Sequence, residues 1–283
     1  MRAVSLLAAG PVALSACVLS AGAATDIQQP SIVYRSVRLA SPQRPPDLYV
    51  VSPAGAGRKV LARAADQPAW SPARKRIAFA GASPGRQGIW VMNADGRGKR
   101  RLTRLAGDGE PTWSSDGRRI AFRRVRGGAF DLFVVPAAGG PVQRLFGGPE
   151  TSELGPDWSP DGRWIAFQST RGGSIQIWIL NLRTRGLRRV TRGYASFSPD
   201  WSSDGRRIAY STRGRIAIVG ANGRGARLLR SGVPASAGNP AWSPDGRRIA
   251  FQRGGQVLTM RTDSSDRRYV TRAAWGTNGD PDW

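Results

Sequence analysis

The side chains of this protein that could do acid–base or ligand chemistry are carboxylates. There is no histidine, so neither a Ser-His-Asp triad nor a His-ligated metal site can be built. The single cysteine, Cys17, lies in an apolar N-terminal stretch, which removes thiolate-held zinc as well. What remains is a set of acids just before, or inside, a recurring Pro-x-Trp tripeptide: Glu110, Glu150, Glu153, Asp157, Asp200, Asp280 and Asp282, with Asp108 close by. Two carboxylates about 5–9 Å apart can hydrolyse a glycosidic bond. Several that converge can instead hold calcium, for which Asp157, Asp200 and Asp282 are the candidates, or can receive a basic group from a partner. Acids that only solubilise loops or pair with neighbouring arginines are the plain alternative. Gly127-Gly128 and Gly172-Gly173 precede no helix, so they read as tight turns and not as phosphate cradles.

Whether these acids meet depends on the elements that carry them. The tripeptide belongs to a longer unit that recurs every 41–45 residues, with Trp70, Trp113, Trp158, Trp201, Trp242 and Trp283 as its structural markers. Its fullest form is Pro156-Asp157-Trp158-Ser159-Pro160-Asp161-Gly162 followed by Ile165-Ala166-Phe167. Pro, Asp and Gly favour a tight turn, and the β-branched and aromatic run after it is a strand, so the unit opens with a hairpin of strands A and B. A third apolar run such as Ile175–Ile179, a second Gly-containing turn and a fourth strand such as Arg189-Val190-Thr191 complete four strands. That period and strand number predict propeller blades.

Proline has no N–H to give to a ladder, so strand A is expected at an edge, lining the central channel, with the Trp packed between blades. The acids of the turn, Asp116, Asp161, Asp204 and Asp245, are expected to cap it. The second unit has Ala73-Arg74 where the others have Asp-Gly, and a different turn is expected there. The first unit lacks a strand A before Ile32, and Gly279–Trp283 supplies one, which predicts ring closure between the two. The fold class is all-β: a six-bladed β-propeller of four-stranded blades over residues 27–283.

The Pro-x-Trp-Ser-Pro-Asp-Gly-x-x-Ile-Ala-Phe unit with its trailing Leu-Thr resembles the PD-type, WD-repeat-like propeller repeat of the TolB family. Prolyl-oligopeptidase-type enzymes and the tricorn protease have similar propellers. Members of the TolB family carry a small α/β domain ahead of the propeller, for which residues 27–283 leave no room. The resemblance implies a non-catalytic module that binds a protein or peptide in the cell envelope.

Residues 1–24, Met1-Arg2 followed by an uncharged apolar stretch, read as an export signal. Two processing routes fit. Ala21-Gly22-Ala23 and Gly22-Ala23-Ala24 suit simple removal, whereas Leu14-Ser15-Ala16-Cys17 resembles a lipobox and makes Cys17 a lipidation candidate. The expected address is the cell envelope, whether periplasmic, lipid-anchored or extracellular. With 43 basic and 19 acidic side chains the formal charge is +24. The A–B and C–D turns share one side of the disc and hold most of the basic runs, so that side is expected to be positive and to favour an anionic polymer or membrane surface. Nothing indicates sequence-specific nucleic-acid reading. The full expectation is an exported, monomeric, non-enzymatic propeller without cofactor, with an envelope protein or peptide at the channel mouth; the alternative is a polyanion- or glycan-binding hydrolase or lyase that works through the channel carboxylates.

Overall fold

The computed structural model describes residues 31–37, 41, 43–230, 237–272, 274 and 276–283. The expected export signal and Cys17 lie outside them. Among the described residues, twenty-four strands form six four-stranded antiparallel sheets. Blade 1 joins β24 (Thr277–Asp282) to β1 (Ile32–Val37), β2 (Asp47–Val51) and β3 (Lys59–Ala62). Blades 2 to 6 follow in sequence over residues 65–101, 109–146, 153–189, 196–228 and 238–269. Val33 faces Asp282 and Val37 faces Thr277, so the last strand closes the ring as the sequence predicts.

Packing between blades follows from strand alternation. Ile77 and Phe79 share a face and pack with Trp70 against Val33, Leu48 and Val50 of blade 1. Ala78 points the other way, into the cluster of Trp113, Ile120 and Phe122 in blade 3. A bulky face meets a thin one at each joint. All six motif tryptophans are 5–7% exposed, which makes them core and not a sugar-stacking platform. Arginine guanidinia roof several of them from the preceding blade: Arg76 over Trp113 at 4.7 Å, Arg119 over Trp158 at 5.1 Å and Arg207 over Trp242 at 4.8 Å.

The Ser-x-Asp-Gly turn is held by side chains. In blade 5 the Ser202 hydroxyl bonds Asp204 Oδ1 at 2.5 Å and accepts the Arg207 N–H at 3.0 Å, while Asp204 accepts the Arg206 N–H at 3.0 Å. Blades 3, 4 and 6 repeat the arrangement at Asp116, Asp161 and Asp245. Blade 2 corrects the sequence expectation. Its backbone makes the same turn without Asp-Gly: the Arg74 N–H reaches Ser71 O at 2.7 Å, matching Gly117 to Ser114 at 2.8 Å. Arg74 occupies the left-handed glycine position with φ 55°. What differs is the absent Asp cap and the side chain that now projects from the turn.

Candidate functional site

The six innermost strands converge on a channel of about 360 Å³. Each breaks its register with the neighbouring strand just at the x-Pro step, so each carries a bulge. The residue ahead of every one of the six prolines has positive φ: Gln67 50°, Glu110 52°, Gly155 54°, Ser198 50°, Asn239 50° and Asp280 46°. A residue before proline ordinarily takes an extended conformation, and non-glycine residues avoid this region. Five side chains therefore sit in a strained ring that aims them at the channel mouth. The bulge in a closed ring over-determines the conformation, which is the usual condition for such strain to persist at binding sites.

Polar contacts tie the ring together. Gln67 Oε1 accepts the Glu110 N–H at 3.0 Å, and Glu110 Oε2 accepts the Gly155 N–H at 2.6 Å. The Ser198 hydroxyl donates to Asn239 Oδ1 at 2.9 Å, and Asn239 Nδ2 donates to Asp280. A second tier comes from strand B, from the residue after Ile-Ala-Phe or its equivalent. There Arg123 pairs with Glu110 at 3.3 Å, Gln168 Oε1 accepts the Ser198 N–H at 2.8 Å, and Arg35 pairs with Asp280 at 2.8 Å. Burial pushes the Asp280 carboxyl up to about 6, with Arg35 opposing.

Below the ring, the residue between Pro and Trp faces the channel in every blade: Ala69, Thr112, Asp157, Asp200, Ala241 and Asp282. Each aspartate accepts the backbone N–H of the next blade's tryptophan, Asp157 from Trp201 at 2.6 Å, Asp200 from Trp242 at 2.7 Å and Asp282 from Trp70 at 2.5 Å. These bonds staple consecutive blades around the axis. Shielding in the channel raises the Asp157 carboxyl to about 7 and Asp282 to about 6. Asp200 is pushed well up by the same shielding and by the charge of Asp157. At the floor a cavity of about 220 Å³ is lined by Trp70, Trp201, Trp242, Trp283 and Asp282. Arg74 also lines it, with its guanidinium 4.6 Å from the Trp70 ring centre and bonded to Ser31 O at 2.6 Å.

Of the sequence-predicted site residues, Glu110, Asp157, Asp200, Asp280 and Asp282 all line the channel. Glu150 does not: it is exposed in the loop ahead of blade 4, because the chain reaches the axis only at Glu153–Trp158. Glu153 is fully buried and bonded to Thr151 at 2.8 Å and Ser169 at 3.1 Å, with Arg171 at 3.5 Å; the bulge between Leu154 and Asp157 shifts the alternation, so Glu153 lies on the face opposite to Asp157, away from the channel. The calcium expectation meets a geometric obstacle. Among the described residues no three His, Cys, Asp or Glu side chains come together as a metal-binding group, and each of Asp157, Asp200 and Asp282 already directs an oxygen to a backbone N–H. Sequence reasoning missed Gln67, Ser198 and Asn239, for which the available signal was their shared place before the repeat proline.

The sequence matches the family model of the TolB beta propeller domain, PD40, over residues 40–153 and 132–283. Comparison with curated proteins finds no match. Among solved structures, TolB from Acinetobacter baumannii superposes with a TM-score of 0.77 at 24% identity, covering 89% of this chain and 66% of that one. The chain thus spans slightly under two thirds of that TolB. A chain of the nidogen/laminin complex gives 0.73 at 10% identity, covering 89% and 97%. Kuenenia stuttgartiensis hydrazine synthase gives 0.71 at 17% identity, covering 89% of this chain and 46% of that one. These likenesses are of fold, which such different proteins share. The family match covers most of the sequence, and the chain belongs to the TolB beta-propeller domain family.

Proposed function

We propose that this protein is a non-catalytic binding module of the cell envelope, and that it receives a protein segment or peptide at the channel mouth. One observation carries the reading: a ring of five polar side chains, Gln67, Glu110, Ser198, Asn239 and Asp280, held in left-handed backbone around an open channel of about 360 Å³. Amides, a hydroxyl and carboxylates there offer both donors and acceptors, which suits the backbone and polar side chains of a peptide. The glycosidase reading has weaker support. Glu110, Asp157, Asp200 and Asp282 each bond a backbone N–H, so proton exchange with a substrate would compete with the bonds that join the blades.

The test is photo-crosslinking in the host envelope, with a benzophenone amino acid at Ser198 on the mouth or at Arg224 on the opposite face. Discrete adducts from position 198, abolished by Asn239→Ala with Gln67→Ala, are expected. Absence of adducts at 198, or turnover of an acidic polysaccharide by the purified protein, would overturn the reading.

A further inference from the structure

The basic residues are not distributed alike on the two sides of the disc. On the mouth side several are matched by acids, Arg35 with Asp280 at 2.8 Å, Arg63 with Asp47 at 3.1 Å, Arg124 with Asp108 at 2.6 Å and Arg144 with Asp131 at 2.9 Å, while the exposed Arg44, Arg86, Arg104 and Arg192 are scattered around the loops without an ion pair among the described residues. On the other side five equivalent positions, Lys75, Arg118, Arg163, Arg206 and Arg247, follow the turn between strands A and B in blades 2 to 6. All five are exposed, and none forms an ion pair among the described residues. The turn acids Asp116, Asp161, Asp204 and Asp245 are exposed as well, each engaged by a serine hydroxyl and a backbone N–H and not by an ion pair with the basic residue two positions on, and blade 2 has no such acid.

The turns are also fixed in place. The backbone oxygens of those same five residues accept N–H bonds from the C–D turn, at Ala94, Ala137, Leu182, Ala221 and Thr262, at 2.8–3.1 Å. Arginines of the C–D side clip neighbouring blades while their charge stays exposed: Arg100 to Ala137 O at 2.7 Å, Arg188 to Ala221 O at 2.8 Å and Arg227 to Thr262 O at 2.7 Å. The result is a ring of positive charge on five blades, set on fixed backbone, with three further held guanidinia beside it on the same face.

A ring spread over five blades fits a plane better than a thread, since a linear polyanion would follow a stripe. The chain path points the same way. Ser31 O is bonded by Arg74 of the blade 2 turn, and Ile32 lies opposite Val51, just before the blade 1 C–D turn. The first blade is therefore entered from the basic face.

We propose that this face docks on a membrane surface rich in anionic lipid, which leaves the channel mouth pointing away from the bilayer. Near such a surface each Lys or Arg contributes roughly 1 kcal/mol, attenuated beyond about 8–10 Å in physiological salt.

The experiment measures co-sedimentation of the full chain with vesicles of equal parts phosphatidylglycerol and phosphatidylcholine, and with phosphatidylcholine alone. Any apolar contribution from residues 1–24 is common to both, so the anionic increment reads the face. Arg118→Gln, Arg163→Gln, Arg206→Gln and Arg247→Gln together should weaken that increment about a thousandfold. A control with the same charge change on the mouth side, Arg44→Gln, Arg86→Gln, Arg104→Gln and Arg192→Gln, should change it less than about threefold. All eight side chains are exposed, and unchanged melting of both variants confirms folding. Equal losses in both would make the effect one of net charge and overturn the proposal. So would no anionic increment in the wild type, or binding of heparin without binding of vesicles.

Discussion

At the scale of single residues, the channel aspartates perform a structural task at an electrostatic cost. Asp157, Asp200 and Asp282 each join a blade to the next, yet all three carboxyls are raised above their ordinary value near 3.9. A raised carboxyl means that the fold binds its proton more tightly than the unfolded chain does. Stability is therefore greatest below about pH 4 as far as these groups are concerned, and falls as pH climbs toward about 6 for Asp282 and 7 for Asp157. Asparagine keeps the acceptor for the tryptophan N–H and removes the charge. The triple variant Asp157→Asn, Asp200→Asn, Asp282→Asn should melt several degrees above the wild type at pH 8, with the gain vanishing near pH 4; about 1 kcal/mol corresponds to roughly 2–4 °C in a domain of this size. Thermal melts across that pH range check it. The position of these acids on the innermost strand was legible in Pro-Asp-Trp. Their partner was not, because it is a backbone N–H one blade onward, and periodicity says which residues are equivalent without saying which of them touch.

At the scale of the element, the repeat's turn and strand were legible because each rests on local chemistry: proline and glycine dihedrals, an Asp cap, and alternation. The buried Ser202 hydroxyl serves both strands of its hairpin, so Ser202→Ala should cost about 1–3 kcal/mol, read as a lower midpoint in urea without a change in slope. The turn acids titrate in the opposite sense to those of the channel. The serine hydroxyl holds the carboxyls of Asp116, Asp204 and Asp245 below their usual range, so their contribution is present above about pH 4 and is lost as pH falls further. Blade 2 shows where local reading fails. Ala73-Arg74 breaks the pattern, but the closed ring imposes the turn, and the left-handed Arg74 is compensated by its contacts with Ser31 and Trp70. The double substitution Ala73→Asp with Arg74→Gly should leave stability within about 1 kcal/mol, since relief of the left-handed strain opposes the lost contacts. Stronger acrylamide quenching of tryptophan emission in that variant would show the channel floor opened. The bulge at x-Pro was illegible for a related reason: the dipeptide favours extended backbone, and only convergence of six strands on one axis forces the left-handed ring.

At the scale of the whole molecule, stability resides in six like joints with no weaker seam set aside for the closure. Trp242→Ala should cost about 3–5 kcal/mol, as expected for a buried tryptophan, and equivalent losses are expected at the other joints. Removing Thr277–Trp283 should cost more than any one of them, because it deletes a strand, a motif tryptophan and the Asp282 staple together. Calorimetry should show the single transition broadened and moved down by well over 10 °C, a shift of the size several lost kcal/mol produce. A truncated protein with the parent's melting profile would show that the ring does not need its clasp. The pairing of Val33 with Asp282 also sets an order in time. Blade 1 needs the first and the last of the twenty-four strands, so during synthesis its Ile32–Val37 strand must wait while every other blade is made. Until then it has an open edge that can pair with any passing strand.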